Sequence, residues 1–141
     1  MNEQIKAEIR KLREESKIAY VASVNAEGYP QVKAMMVLEH ESLTTHYFST
    51  NTSSNRVSHF RNNPKASVYY CNEADFKGAL FTGTIEVLTD HATKARFWSD
   101  GCEIYYPKGV DDEDYCIYCF TADTVNYYHN LSNATLDAKE L

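Results

Sequence analysis

The chain has 141 residues, 43% of them hydrophobic and 24% charged, with a net charge of −6 and a pI near 5.3. One domain is expected, able to bury roughly two-thirds of the surface its unfolded chain exposes, and an acidic balance repels a polyphosphate backbone, which argues against nucleic acid as a partner. No run approaches membrane-spanning length and the first residues show no basic segment followed by an apolar one, so the expected location is the cytoplasm, with Cys71, Cys102, Cys116 and Cys119 as free thiols.

In chain order, Asn2 to Ser16 puts Ile5, Ile9 and Leu12 on one helical stripe with charged residues on the other faces, an amphipathic N-terminal helix. Ile18 to Asn25 alternates, and Glu27-Gly28-Tyr29-Pro30 turns the chain so that Gln31 to Leu38 returns as an antiparallel partner. Thr44 to Ser49 fits a third strand. The polar run Thr50 to Ser54 then leads into a short helix over about Asn55 to Asn62, closed by Pro64. Lys65 to Asn72 and Ala79 to Leu88 read as strands, Asp90 caps a helix to about Trp98, and Pro107 to Asp114 reads as a solvated acidic loop. Tyr115 to Ala122 alternates again, Val125 to His129 either extends the sheet or starts a last turn, and residues 130–141 form a polar, loosely ordered tail.

Eleven Tyr and six Phe favour half-buried strands and flat interfaces. The fold class that follows is mainly β or α+β: about six antiparallel strands in a small barrel, with an N-terminal helix and two short inserted helices. No linker or repeat divides the chain, so a single domain spans it.

The segment Tyr47-Phe48-Ser49-Thr50-Asn51-Thr52-Ser53-Ser54-Asn55-Arg56 is a strand that ends in hydroxyls and enters a helix through a cation. Unpaired amides of a first helical turn, Ser and Thr hydroxyls and a guanidinium together suit an anion, although an ordinary Ser cap beside a solvated Arg has the same spelling. Lys33 lies mid-strand among Val32, Ala34, Met35 and Met36, where an ammonium must face water or meet an anion. The two Met residues suit either a flat ring or plain core filling.

A basic residue before Met on a strand, an aromatic strand ending in Ser-Thr, then Ser-x-Arg opening a helix that ends in Asn-Pro resembles the FMN site of pyridoxamine 5'-phosphate oxidase-like split barrels. Here these are Lys33-Ala34-Met35-Met36, Tyr47 to Thr50, Ser54-Asn55-Arg56 and Asn63-Pro64. Phe97-Trp98, Tyr105 to Gly109, Asp111-Asp112 and Tyr115 resemble the family's general stress protein branch. The resemblance, over about Ile18 to Tyr128, implies a split barrel with FMN as cofactor, working as a homodimer with the flavin at the subunit interface. It implies that Lys33, Ser54 and Arg56 hold the phosphate, and that the backbone of Ala34, Met35 and Met36, with Ser49 and Thr50, lines the flavin. Lys33 stands where many relatives have Arg and so lacks the bidentate fork. Asn55, within the same site, replaces a second cation of the oxidases proper, and Leu38 replaces a Lys. With the oxidases' long C-terminal segment also missing, these departures argue against pyridoxamine 5'-phosphate oxidation itself. The function implied is an FMN-dependent oxidoreductase of unassigned substrate and unassigned catalytic residues; the alternatives are a flavin-binding stress-response carrier or sensor without turnover, and a ligand-free or haem-binding barrel.

Cys116-Ile117-Tyr118-Cys119 spells a C-x-x-C pair, but on an alternating strand its two thiols face opposite ways and cannot share an ion. The five His show no ligand spacing, and Asp111 to Asp114 lacks the ligand alternation and Gly of a calcium loop, so no metal site is expected.

Overall fold

The computed structural model describes residues 2–141 and shows one antiparallel sheet of seven strands with three α-helices. In chain order the elements are α1 (Asn2–Glu15), β1 (Ile18–Val24), β2 (Pro30–Met36), β3 (Thr45–Asn51), α2 (Asn55–Asn62), β4 (Lys65–Asn72), β5 (Lys77–Leu88), α3 (His91–Phe97), β6 (Tyr115–His129) and β7 (Ser132–Asp137). Single 3-10 turns occupy Cys102–Ile104, Gly109–Asp111 and Ala138–Glu140.

The strands lie in the order β2-β1-β4-β5-β6-β3, with β7 added to β6. The split barrel has its opening between the two ends of this order: β2 and β3 share no ladder, and the Leu38 N–H donates to the Tyr47 carbonyl (3.3 Å) just past the end of β2. Alternation drives the curl, since Ala19 and Val21, Val68 and Tyr70, Phe81 and Ile85, and Tyr118 and Phe120 all turn into one core. α1 lays Ile9 and Leu12 on that core, and α2 contributes Val57 and Phe60.

β6 is the spine of the sheet. Its first half pairs with β3 from Tyr115 to Thr121 and its second half with β7 from Thr124 to His129, while β5 runs along its other edge. The register with β5 shifts between Thr82 and Gly83, leaving Asp123 unpaired as a bulge that bends the strand between its two partners. Gly83 belongs at that bend because a Cβ there would run into the Thr121 carbonyl oxygen.

Two expectations are corrected. Residues 130–141 are not a loose tail: β7 uses its backbone to extend the sheet, Leu136 is buried, and Asp137 with Glu140 forms a capping box on the final 3-10 turn. The acidic stretch to Asp114 is not simply solvated either. Asp112 turns inward and accepts from the amides of Lys108 (3.2 Å) and Asp114 (3.0 Å), which hold its carboxyl below its ordinary pKa, while the buried Lys94 ammonium donates to its carbonyl (3.0 Å).

A further surprise is Arg13, 1% exposed although α1's periodicity places it among polar positions. Its guanidinium donates to the carbonyls of Glu39 (3.0 Å) and Thr45 (3.3 Å) and lies over the Tyr70 ring. Beneath it, fully buried His46 accepts from the Tyr70 hydroxyl at Nδ1 (2.7 Å) and donates from Nε2 to the Leu43 carbonyl (2.9 Å), an assignment the carbonyl acceptor dictates. Among the described residues no helix is long and apolar enough to cross a membrane.

Candidate functional site

A cleft of about 1080 Å³ opens between the β1–β2 turn, the inner-facing side of β2 and the first turns of α2. Three local features shape its walls. Asn25 Oδ1 accepts from the amides of Glu27 (3.1 Å) and Tyr29 (2.9 Å), and Gly28 takes φ +86°, so the turn folds back tightly. Ser54 caps α2, its hydroxyl accepting from the Arg56 amide (3.3 Å). His59 Nδ1 meets Ser23 Oγ at 3.0 Å, which ties α2 to β1.

Four of the residues expected at a site come together on these walls: Lys33, Ser54, Asn55 and Arg56. Lys33 stands opposite Val21, on the side of β2 that faces the core, yet it is exposed because the barrel is split there. Arg56 is half-buried, and its Nη1 is fully buried with no hydrogen-bond partner among the described residues. Burial lowers the Arg56 pKa, opposed by nearby Tyr118. Asp114 of the α3–β6 loop already accepts the Ser53 amide (2.7 Å), so that N–H is spoken for.

The other expected residues are arranged differently. Ala34 and Met36 lie on the outer face of β2, Met36 being 70% exposed, while Met35 is buried against the core. Ser49 shares the outward-facing side of β3 with Tyr47, and Thr50 turns inward toward Tyr118. None of these five side chains lines the cleft.

The cleft also holds residues that the sequence reading did not single out. Gln31 is two positions from Lys33 on the same strand face, and His59 is three from Arg56 on the same helical face, so periodicity alone could have found both. Tyr118 had no such signal. It reaches from β6 to the underside of α2, packs edge-on against Phe60 (5.1 Å between centroids), and buries a hydroxyl that has no hydrogen-bond partner among the described residues. Burial pushes its pKa up to about 12, with the Arg56 charge and the Ser54 and Thr50 hydroxyls opposing from close by.

Elsewhere Cys116 is buried and Cys119 partly exposed on β6, both as free thiols. No group of three His, Cys, Asp or Glu suited to a metal ion occurs among the described residues.

The chain is thus a split antiparallel barrel with a cationic, hydroxyl-rich cleft at the start of α2. Residues 5–129 match the family model described as pyridoxamine 5'-phosphate oxidase, and the chain belongs to that family. A solved structure from Clostridium acetobutylicum, described as related to general stress protein 26 and of the pyridoxinephosphate oxidase family, is 44% identical, with 99% of each chain covered and a TM-score of 0.89. General stress protein 26 from Bacillus anthracis shares the fold at 20% identity (94% of this chain, 99% of that one, TM-score 0.76). So does a pyridoxamine 5'-phosphate oxidase-related, FMN-binding protein from Nostoc punctiforme, at 11% identity (95% of each chain, TM-score 0.63). No curated protein sequence matches the chain.

Proposed function

We propose that this protein binds FMN, with the phosphate in the cleft between Lys33, Ser54 and Arg56, and acts as an FMN-dependent oxidoreductase. The observation that carries the reading is the buried, unpartnered Nη1 of Arg56 beside a helix cap. A guanidinium N–H left without an acceptor costs stability, and a phosphate oxygen is the acceptor that a cap, an Arg and a facing Lys would share. In a chain of net charge −6 this gathering of cations runs against the overall field. The FMN-binding relative supports the same assignment.

The isoalloxazine supplies hydride and electron transfer when bound, and the chain's task is to hold, orient and shield it. Lys33 and Arg56 neutralise the phosphate, Ser54 donates to it, and strand β2 leads away from that anchor toward its outer face. That face continues across four strands. Met36 stands opposite Ile18, Tyr20 opposite Tyr69 and Tyr69 opposite Leu80, all exposed, and Val32 is 65% exposed beside them. A second copy seated there would reach the rim of the cleft, so the working form is a homodimer with FMN at the subunit interface.

The visible spectrum of the purified protein is the first test: flavin bands support the assignment, and a Soret band or no chromophore after FMN addition overturns it. Anaerobic mixing of the FMN-loaded protein with NADH or NADPH then addresses turnover. Bleaching at a useful rate supports an oxidoreductase, and failure with both donors favours a carrier or sensor.

A further inference from the structure

Tyr118 stands out among buried polar groups because its hydroxyl is idle in a place where idleness is costly. The residue is fully buried on β6, opposite Phe48 on β3, and its hydroxyl has no hydrogen-bond partner among the described residues. An orphaned buried hydroxyl costs about 1–3 kcal/mol, whereas Phe would fill the same space without that cost. Around the phenol oxygen are the Ser54 hydroxyl, which caps α2, the Thr50 hydroxyl at the end of β3, and Arg56 with its own idle, buried Nη1. Two unused donors, the Tyr118 hydroxyl and Arg56 Nη1, thus accompany the capping serine.

We propose that Tyr118 is a positioning residue of the anion site, acting through Ser54 from beneath the first turn of α2. This rests on the phosphate assignment above and adds to it the residue that aims the cap.

The chemistry follows from what a serine hydroxyl can do. Ser54 Oγ has two acceptor sites and one proton. The Arg56 amide takes one acceptor site at 3.3 Å. If the Tyr118 hydroxyl donates into the other, both acceptor sites of the serine are occupied from within and its proton is free to turn into the cleft, toward an incoming oxyanion. A small tightening of the cap around a bound phosphate closes that contact, since the oxygen atoms are already neighbours without hydrogen-bond geometry. A buried phenol stays protonated through the neutral range and so remains a donor throughout.

The test compares FMN and riboflavin, which differ only in the phosphate, by fluorescence titration of wild-type protein and of Tyr118→Phe, with thermal melting of both ligand-free proteins. The variant removes one oxygen. A merely structural hydroxyl predicts an unchanged or raised Tm and the same preference for FMN over riboflavin. Positioning of the cap predicts an unchanged or raised Tm together with an FMN affinity weaker by about five- to tenfold and an unaltered riboflavin affinity. The same substitution made in a Ser54→Ala background should then have no further effect on FMN binding, because the pathway runs through that serine. Wild-type-like discrimination in Tyr118→Phe overturns the proposal, and so does full additivity with Ser54→Ala. If the wild-type protein itself binds riboflavin as well as FMN, the phosphate assignment fails first and this inference falls with it.

Discussion

Single side chains in this protein do work that their type does not announce. Arg56 and Lys33 are each expected to make a charge-assisted contact to a phosphate, so Arg56→Ala and Lys33→Ala should each weaken FMN binding by roughly 1.5–3 kcal/mol, with the Arg56 change the larger because its Nη1 is buried. Riboflavin titrations should be nearly unaffected; parallel losses for both ligands would show that the side chains hold the ring and not the phosphate. His46 supports a prediction about stability. Burial first, and the Arg13 charge second, lower its pKa from 6.5 to about 3, with the Leu43 carbonyl opposing. The unfolded chain therefore takes up this proton as pH falls below about 6.5, while the folded chain refuses it until about 3. The neutral-His contribution is thus full above pH 6.5 and is lost as pH falls through that window, by something on the order of 3–5 kcal/mol. Urea unfolding of wild type and His46→Gln at pH 7, 5 and 4 reads the difference: the variant should show a shallower acid loss, and equal slopes would assign the loss to the carboxylates.

At the scale of elements, the bulge on β6 is the feature on which the sheet's shape depends. Gly83→Ala would push a methyl group into the Thr121 carbonyl, where backbone rather than a flexible side chain must yield. It should destabilise by about 3 kcal/mol or more, seen as a lower denaturant midpoint; a midpoint equal to wild type would mean that β6 can relax around the bend. The same strand shows what was legible in the sequence and what was not. Strands with an apolar side announce themselves by alternation, as Ala79 to Val87 does, and the starts of α2 and α3 are spelled by Ser54 and Asp90, both of which cap as expected. β7 escaped because Ser-Asn-Ala-Thr-Leu-Asp buries little besides Leu136 and belongs to the sheet through backbone pairing with β6. Arg13 escaped because helical periodicity sees only its own helix, whereas the carbonyls and the Tyr70 ring that accept it come from distant segments. The candidate site divides the same way. Ser54, Asn55 and Arg56 are contiguous and Lys33 is anomalous in its strand, so local reading reaches them, but Tyr118 is an ordinary core aromatic until β6 and α2 are packed together.

For the molecule as a whole, the outer face of β2, β1, β4 and β5 is left uncovered. Edge strand β2 is exposed on nearly its whole length, and the exposed Ile18, Tyr20, Val32, Met36, Tyr69 and Leu80 form a continuous surface by register. An apolar face of this kind on an isolated chain invites association, and an unpaired edge strand does so again. A second copy of the same chain satisfies both through a two-fold contact in which each subunit presents the same patch. On the proposed FMN assignment, the partner would also cover the ring beyond β2. The expected result is therefore a dimer in sedimentation at low micromolar concentration. A Val32→Lys, Met36→Lys double substitution, both positions outward-facing and remote from the core, should shift the protein toward monomer. Its folded core should persist, read as a retained cooperative melt, while FMN affinity falls, because the ring loses the cover of the partner. A monomeric double variant that still binds stoichiometric FMN with wild-type affinity would show that one chain completes the site, and the subunit-interface placement of the flavin would have to be given up.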